Sequence, residues 1–322
     1  MIIRDGTLSF MMRSFALSFS IFLRAVPMWG FLVALIYVAT VTFRENPIIL
    51  IFLVLLASGA TMHFMMFSHI RSGLSVLGET TPPDLSKLVR KSIRFCFFSG
   101  MWSILVTALS VVGFFTAGYL GMFDWDLMLE MVVAGDQDGL DQMFGASSVY
   151  AYWIVATTLS QLAYCCIAVP MAANAAACSP KARDYEIFWG FGSSAIRMLI
   201  LITAAGTIVT VGLIAYFGFG ILVIASSFDV SDPAALFLQM QQAPDWRGMI
   251  TIVGLVAIPI LGFIWWISIW CAGATVAFVD RRRIYEAKFK QELERIYEAP
   301  MAKEDLRALR MSRMTPAAPA TG

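Results

Sequence analysis

The chain contains only two histidines, His63 and His69, and both fall in one long apolar stretch. Six residues apart on a helix, they project about 240° from each other and cannot hold one metal ion on a shared face. A histidine at this depth either stays neutral and bonds to a neighbouring helix or relays a proton. Because this stretch holds no carboxylate partner, we favour the neutral role for His63. His69 closes the stretch, where we expect water to reach it.

One amide and one tryptophan cluster are the other side chains that could bind a ligand. Gln161 lies near the middle of a later apolar stretch, where amides usually bond neighbouring helices for about 0.6–2 kcal/mol; substrate contact is the alternative. Trp265, Trp266 and Trp270 lie near the centre of the last stretch, although tryptophan in membranes normally concentrates at the interfaces. They either pack tightly or form a groove for a lipid chain or another hydrophobic ligand.

Recognisable catalytic patterns are missing from the sequence. Its five cysteines lie in apolar stretches or at their ends, as small packing residues do. We find no phosphate-binding glycine loop, no dinucleotide fingerprint, no metal-ligand spacing and no aromatic–basic pattern for nucleic acid. We therefore predict a protein without enzymatic activity, without a cofactor or metal, and without a nucleic-acid partner.

Six apolar stretches determine the expected fold. Each approaches or exceeds the roughly 20 residues that a helix needs to cross a bilayer. Charged residues make up only 14% of the chain, against about 25% in soluble domains. We predict an all-α integral membrane protein with six transmembrane helices in three hairpins. The stretches are Ala25–Phe43, Pro47–His69, Phe95–Met122, Val149–Cys178, Ala195–Phe228 and Met249–Val279.

The basic residues orient these helices. With a cytoplasmic N-terminus, 21 of the 23 Lys and Arg residues fall on the cytoplasmic side, and only Arg44 and Arg247 lie outside. Such asymmetry follows the positive-inside rule. We therefore expect both termini in the cytoplasm. The segment DWDLMLEMVV in the acidic second outer loop is predicted to form a short surface helix.

A basic amphipathic segment precedes the third stretch. Asp84 suits the start of a helix, after which apolar and basic residues separate onto opposite arcs. We expect a helix in the headgroup layer that faces anionic lipid, either as a simple anchor or with specific lipid recognition. The basic arc contains Lys87, Arg90, Lys91 and Arg94; the apolar arc contains Leu85, Leu88, Val89 and Ile93.

The two ends of the chain complete the expected organisation. Residues 1–24 are predicted to form an interfacial amphipathic helix before the transmembrane domain of residues 25–279. Residues 280–312 should form a charged cytoplasmic helical tail with a Glu286–Lys290 pair, and residues 313–322 should be disordered. An apolar stripe on this tail packs on the protein's own cytoplasmic face, binds a partner protein, or mediates self-association.

One long passage carries a family resemblance. In RSGLSVLGETTPPDLSKLVRKSIRFCFFSGMWSIL, a span ends in small and basic residues, and a Pro-containing turn and a basic amphipathic lead-in follow. Together with CAGATVAFVDRRRIYE, it resembles uncharacterised bacterial inner-membrane families related to the membrane domain beside some glycerophosphodiester phosphodiesterases. The likeness covers about residues 10–285 and implies about six helices in the bacterial inner membrane. The family has no established activity, and the sequence contains no phosphodiesterase catalytic domain.

Two functions remain in view. The leading hypothesis is a non-enzymatic inner-membrane scaffold or lipid-associated accessory protein that engages membrane lipids and partners. The alternative is a transporter or channel for a neutral or hydrophobic molecule, with a cleft around His63, Gln161 and the tryptophans. Ion coupling is disfavoured, because such sites usually need a charge at depth.

Overall fold

Every regular element among the residues that the structure describes is an α-helix. The structure, a computed structural model, describes residues 6–42, 47–79, 84–121, 124–136, 138–139, 142, 147–179, 183–227 and 246–298. The helices are α1 (Thr7–Thr42), α2 (Pro47–Val76), α3 (Leu85–Tyr119), α4 (Trp125–Ala134), α5 (Ser147–Cys166), α6 (Ala168–Ala176), α7 (Ala195–Ser227) and α8 (Trp246–Glu298). The all-α prediction is confirmed.

Five helical stretches are long and apolar enough to cross a membrane, as expected of a multi-pass membrane protein. They are Thr7–Ala34, Leu85–Tyr119, Val149–Ala176, Ala195–Gly218 and Ala257–Arg295. The remaining predicted span, Pro47–His69, is the second in the chain and coincides with α2, whose side chains are described from Gly59 onward. Six spans arranged as three hairpins therefore stay a prediction.

Two helices begin earlier than their predicted spans. α1 continues without a break past residue 24, because Leu17, Ile21 and Ala25 are buried at four-residue spacing and form one stripe across that boundary. α3 begins at Leu85, directly after Asp84, whose carboxylate accepts a hydrogen bond from the backbone N–H of Ser86 at 3.0 Å. The basic segment of residues 84–94 is thus the first part of α3.

The predicted fourth span, Val149–Cys178, corresponds to the apolar stretch Val149–Ala176 but consists of two helices. α5 ends at Cys166 and α6 begins at Ala168. Pro170 explains the break, because proline lacks the N–H that would bond to the carbonyl of Cys166 four residues earlier. The backbone N–H of Gly192 takes that place and donates to the Cys166 oxygen at 3.1 Å.

Residues 183–194 fold back against the helices as a connecting segment, named here the return segment. Its aromatic rings contact α3: Phe188 lies 5.0 Å from Phe98 and Phe191 lies 5.2 Å from Trp102, centroid to centroid. Gly190 has a φ of 77°, and a Cβ there would clash with Cγ1 of Val169 on α6. Only glycine fits this approach without strain.

Small residues let the helices approach closely at one end of the larger unit, Asp5–Phe278. We call this region the packed end. Between α7 and α8, a Cβ on Gly273 would lie 2.5 Å from Cδ2 of Leu201. Where α2 meets α1 and α8, a Cβ on Gly73 would lie 2.9 Å from Cδ1 of Ile21 and 3.1 Å from Oγ1 of Thr275. Nearly all of α6 is also buried, so this region is a solid core.

Three buried hydroxyl groups in this core bond within their own helices. Ser14 donates to the carbonyl of Phe10, Ser268 to Ile264 and Thr275 to Cys271, each at 2.7–2.8 Å. Such local bonds satisfy polar groups without tying one helix to another. At these positions the helices associate through the close packing of small side chains.

Farther along the helices, large apolar side chains point outward. Met101 and Ile104 on α3 are 73% and 72% exposed, and Trp153 and Leu159 on α5 are 53% and 60% exposed. An exposed apolar surface on this scale is unusual for a soluble monomer. It is the surface that a bilayer would cover.

The predicted outer-loop helix DWDLMLEMVV is present as α4, with Asp124 accepting a hydrogen bond from the N–H of Asp126 at 3.0 Å. α8 runs on to Glu298, and its last part belongs to a second unit that begins at Val279. There Glu286 pairs with Arg282 and Lys290 with Glu294, so the predicted Glu286–Lys290 pair is wrong. The expected features of residues 299–322 lie outside the described residues.

Two glycines of the return segment provide a matched test of its packing. Gly190→Ala and Gly192→Ala both place a side chain at positive φ, but only the first meets another atom, on Val169. We expect Gly190→Ala to lower the free energy of unfolding by about 1–3 kcal/mol more than Gly192→Ala. Thermal melting of both variants in detergent measures this difference. Equal melting temperatures would contradict the described contact with α6.

Candidate functional site

His63 connects α2 to α3. Its Nδ1 lies 2.8 Å from the carbonyl oxygen of Gly59, and its Nε2 lies 2.5 Å from the hydroxyl oxygen of Ser99. A carbonyl only accepts, so Nδ1 carries the proton and Nε2 of the neutral ring accepts from Ser99. The predicted bond to a neighbouring helix is confirmed.

His69 is enclosed by protein. Only 2% of it is exposed, so the expectation of a water-exposed ring is wrong. Trp29 of α1 covers it and donates from the indole N–H to Nε2 at 3.2 Å, while Nδ1 lies 2.5 Å from the Met65 carbonyl. Trp29 lies within the predicted first span, but its contact with a residue 40 positions away in the sequence is not encoded in a local pattern, which explains the difference. Both histidines therefore join helices.

Arg71, predicted only as one of the cytoplasmic basic residues, is a buried structural residue. Its guanidinium donates to the carbonyl of Ala175 and to the hydroxyl of Ser179, both at 3.0 Å. Carbonyls at a helix C-terminus lack partners within the helix and carry partial negative charge, which a cation stabilises. Arg71 thus caps the end of α6 from α2. As a lone basic residue directly after an apolar stretch, it carries a weak signal in the sequence.

Gln161 does not form the expected bond between helices, and Asn174, a second amide near the end of the same predicted span, does not form one either. Gln161 is exposed on α5. Asn174 is buried, and its amide donates to the carbonyl of Pro170 in the same helix at 2.9 Å.

The tryptophans of α8 have separate surroundings. Trp265 lines an apolar groove of about 510 Å³ between α1, α7 and α8. Trp266 stacks on Phe263 with ring centroids 6.3 Å apart, and its indole nitrogen faces Gly206 of α7. Trp270 is buried. The groove is lined by Phe19, Phe22, Ile208, Val209, Gly212, Leu213, Ile258, Leu261, Gly262 and Trp265.

The predicted cleft residues are therefore not assembled at one place in the described structure. His63 contacts α3, Gln161 is exposed on α5, and Trp265 faces the groove. Of the residues in the predicted cleft, only Trp265 lines the apolar groove. The sequence could indicate that Trp265 lines a groove. It could not indicate that α1 forms one wall of this groove, because α1 and Trp265 are far apart in the chain.

The four basic residues of the predicted headgroup site divide into two pairs. Lys91 pairs with Asp184 of the return segment, and Lys87 is half-buried. Arg90 and Arg94 are exposed. The hydrogen bond from Lys91 keeps the pKa of the Asp184 carboxyl below its ordinary value. Since that pKa is lowered, the pairing persists as pH falls until Asp184 itself is protonated.

The apolar arc of the same segment is divided as well. Leu88 is buried at the packed end, whereas Leu85, Val89 and Ile93 are exposed and line a shallow depression with Arg90. The predicted apolar arc is therefore divided between the core and the surface. Because the segment continues directly into α3, its inner face follows the core stripe of Leu88 and Phe95.

Metal coordination and similarity to known proteins add no further assignment. Among the described residues, no three His, Cys, Asp or Glu side chains lie close enough to hold a metal ion. No family model, no curated protein and no solved structure matches the chain. The resemblance to phosphodiesterase-associated membrane families stays a prediction.

Two serines of α3 test the bond between α2 and α3. Ser99→Ala removes the donor to His63, whereas Ser103→Ala removes only a bond to the Ser99 carbonyl within α3. We expect Ser99→Ala to lower the free energy of unfolding by about 0.6–1.7 kcal/mol more than Ser103→Ala. Unfolding in detergent with increasing denaturant measures both. Indistinguishable curves would show that the His63–Ser99 bond does not stabilise the bundle.

Proposed function

We propose that the chain is a non-enzymatic, lipid-associated accessory or scaffold protein of the bacterial inner membrane. Six spans in three hairpins, with both termini in the cytoplasm, are part of the proposal. The contacts of the first and last helix pairs support it. Ile21 lies beside Gly73 while Trp29 lies beside His69, so α1 and α2 run in opposite directions. The contacts of α7 with α8 likewise run in opposite directions, from Leu201–Gly273 to Val209–Gly262.

The exposed surface at the start of α3 carries the lipid association. Arg90 lines a shallow depression together with the exposed Val89 and Ile93, and Arg94, one turn farther along the helix, is exposed as well. An arginine beside exposed apolar side chains suits the boundary between headgroups and acyl chains. Its charge favours the anionic lipids of the cytoplasmic leaflet.

The length of α3 agrees with this placement. From Phe95 to Tyr119 the helix holds 25 residues, which rise about 37 Å and suffice for the roughly 30 Å hydrocarbon core. Arg94 then lies at the boundary of the core. Arg90 lies about 6 Å farther out, within the headgroup layer.

The charged end of α8 supports the scaffold role. Tyr285, Phe289 and Leu293 keep the predicted apolar stripe and are 41%, 56% and 37% exposed. A stripe at this spacing on a charged helix is typical of a surface that binds another helix. We propose that it contributes to a partner or self-association surface within residues 280–312.

Transport of a neutral or hydrophobic molecule is the alternative. It requires a continuous path between the two faces of the membrane. Close packing around Gly73 and Gly273 fills the space between helices at the packed end. This packing favours the accessory role.

The lipid association is tested by removing the exposed arginines. We expect Arg90→Gln with Arg94→Gln to reduce the preference for phosphatidylglycerol over phosphatidylcholine, because each basic residue near the surface contributes about 1 kcal/mol, or roughly fivefold. Spin-labelled forms of both lipids measure this preference after reconstitution into vesicles. The control variant, Lys288→Gln with Lys290→Gln, removes the same charge from the end of α8. Equal effects of both variants would contradict a lipid site on α3.

A further inference from the structure

We infer that Arg197 and the apolar groove between α1, α7 and α8 bind one anionic phospholipid. The phosphate lies at Arg197, and one acyl chain lies in the groove. This inference rests on the proposed lipid association but assigns a different site, since Arg90 and Arg94 belong to α3. Four features of the described residues support it.

The first feature is the lining of the groove. All of its lining residues are apolar or glycine. A Cβ on Gly212 would meet no atom within 4 Å, so this glycine opens onto free space. A Cβ on Gly262 would lie 3.8 Å from Cγ1 of Val209, so α7 and α8 are close at the groove's inner wall. Such a surface favours hydrocarbon over a polar ligand.

The second feature is the size of the groove. One turn of an α-helix about 10 Å wide occupies roughly 420 Å³. A groove of about 510 Å³ therefore accommodates little more than one helical turn of a second copy. A flexible acyl chain needs less width and can follow the groove from Ile258 to Trp265, a rise of about 10 Å along α8.

The third feature is the position of Arg197 in the first turns of α7. Ile208 lies eleven residues later, which is about three turns, so both residues lie on nearly the same face. The rise between them is about 16 Å. Ala204, seven residues after Arg197, lies on this face too, and its small side chain leaves room for a chain between the arginine and the groove.

The fourth feature is that the rise of about 16 Å from Arg197 to Ile208 is close to half the thickness of the hydrocarbon core. Half of the roughly 30 Å hydrocarbon core is about 15 Å. With Arg197 at the cytoplasmic interface, the groove lies near the middle of the membrane, where the chain of the same lipid ends. Among the described residues Arg197 has no carboxylate partner, so its charge is available for a phosphate.

The test counts the lipids that stay bound after purification. The protein is extracted from membranes containing phosphatidylglycerol and phosphatidylcholine, exchanged into mild detergent, and weighed intact by mass spectrometry. We expect one retained phosphatidylglycerol on the unmodified protein. Arg197→Gln should lower the preference for phosphatidylglycerol about fivefold, the effect of one basic residue near the surface.

Filling the groove provides the second variant. Gly212→Phe should abolish lipid retention, because the ring occupies the space of the chain. Gly218→Phe is the matched control, since Gly218 lies on the same helix, outside the groove lining, and a Cβ there also meets nothing within 4 Å. It should retain lipid as the unmodified protein does. Melting curves establish that both variants are folded.

Several results would overturn the inference. They are equal retention by the Gly212→Phe and Gly218→Phe variants, an unchanged lipid preference in Arg197→Gln, and a lipid-free dimer that dissociates when Gly212 is replaced. If these occur while the Arg90 and Arg94 variant still loses selectivity, the groove site is wrong and the proposed lipid association stands. If the Arg90 and Arg94 variant is also unaffected, both proposals fail.

Discussion

The carbonyl of Cys166 has no donor within its own helix, because Pro170 four residues later lacks an N–H. Gly192 supplies that donor from a segment more than twenty residues downstream. The bond fixes the return segment against the break between α5 and α6. From there Gly190 reaches Val169, and Phe191 reaches α3. The direction in which α7 begins, and with it the position of Arg197, follows from this contact.

The basic residues near the packed end have two different kinds of surroundings. Arg71 donates to the Ala175 carbonyl near the end of α6 from inside the core, and Lys91 pairs with Asp184 of the return segment. These cations are engaged by the protein itself. Arg90 and Arg94 face outward, and Arg197 has no carboxylate partner among the described residues. The cytoplasmic charge predicted from the sequence therefore divides into a structural part and a part available to lipid.

The sequence was informative where the signal is local. Long apolar stretches predicted the helices, Asp84 and Asp124 predicted helix starts, and the position of His63 predicted a bond to another helix. Features that depend on distant contacts were missed. The acceptors of Arg71 lie more than a hundred residues away in the sequence. Trp29 of α1 covers His69 of α2, 40 residues away. No periodicity in a single sequence encodes such pairings.

The orientation of the helices matters most, because the proposed lipid sites at Arg90, Arg94 and Arg197 all require these arginines to lie on the cytoplasmic side. Single cysteines at Asp138 and Lys288, introduced after the five native cysteines are replaced, test it directly with a membrane-impermeant maleimide on intact inner-membrane preparations of known sidedness. We predict labelling of residue 138 from the outer side and of residue 288 only from the cytoplasmic side. The reverse pattern would contradict the orientation and every lipid site derived from it.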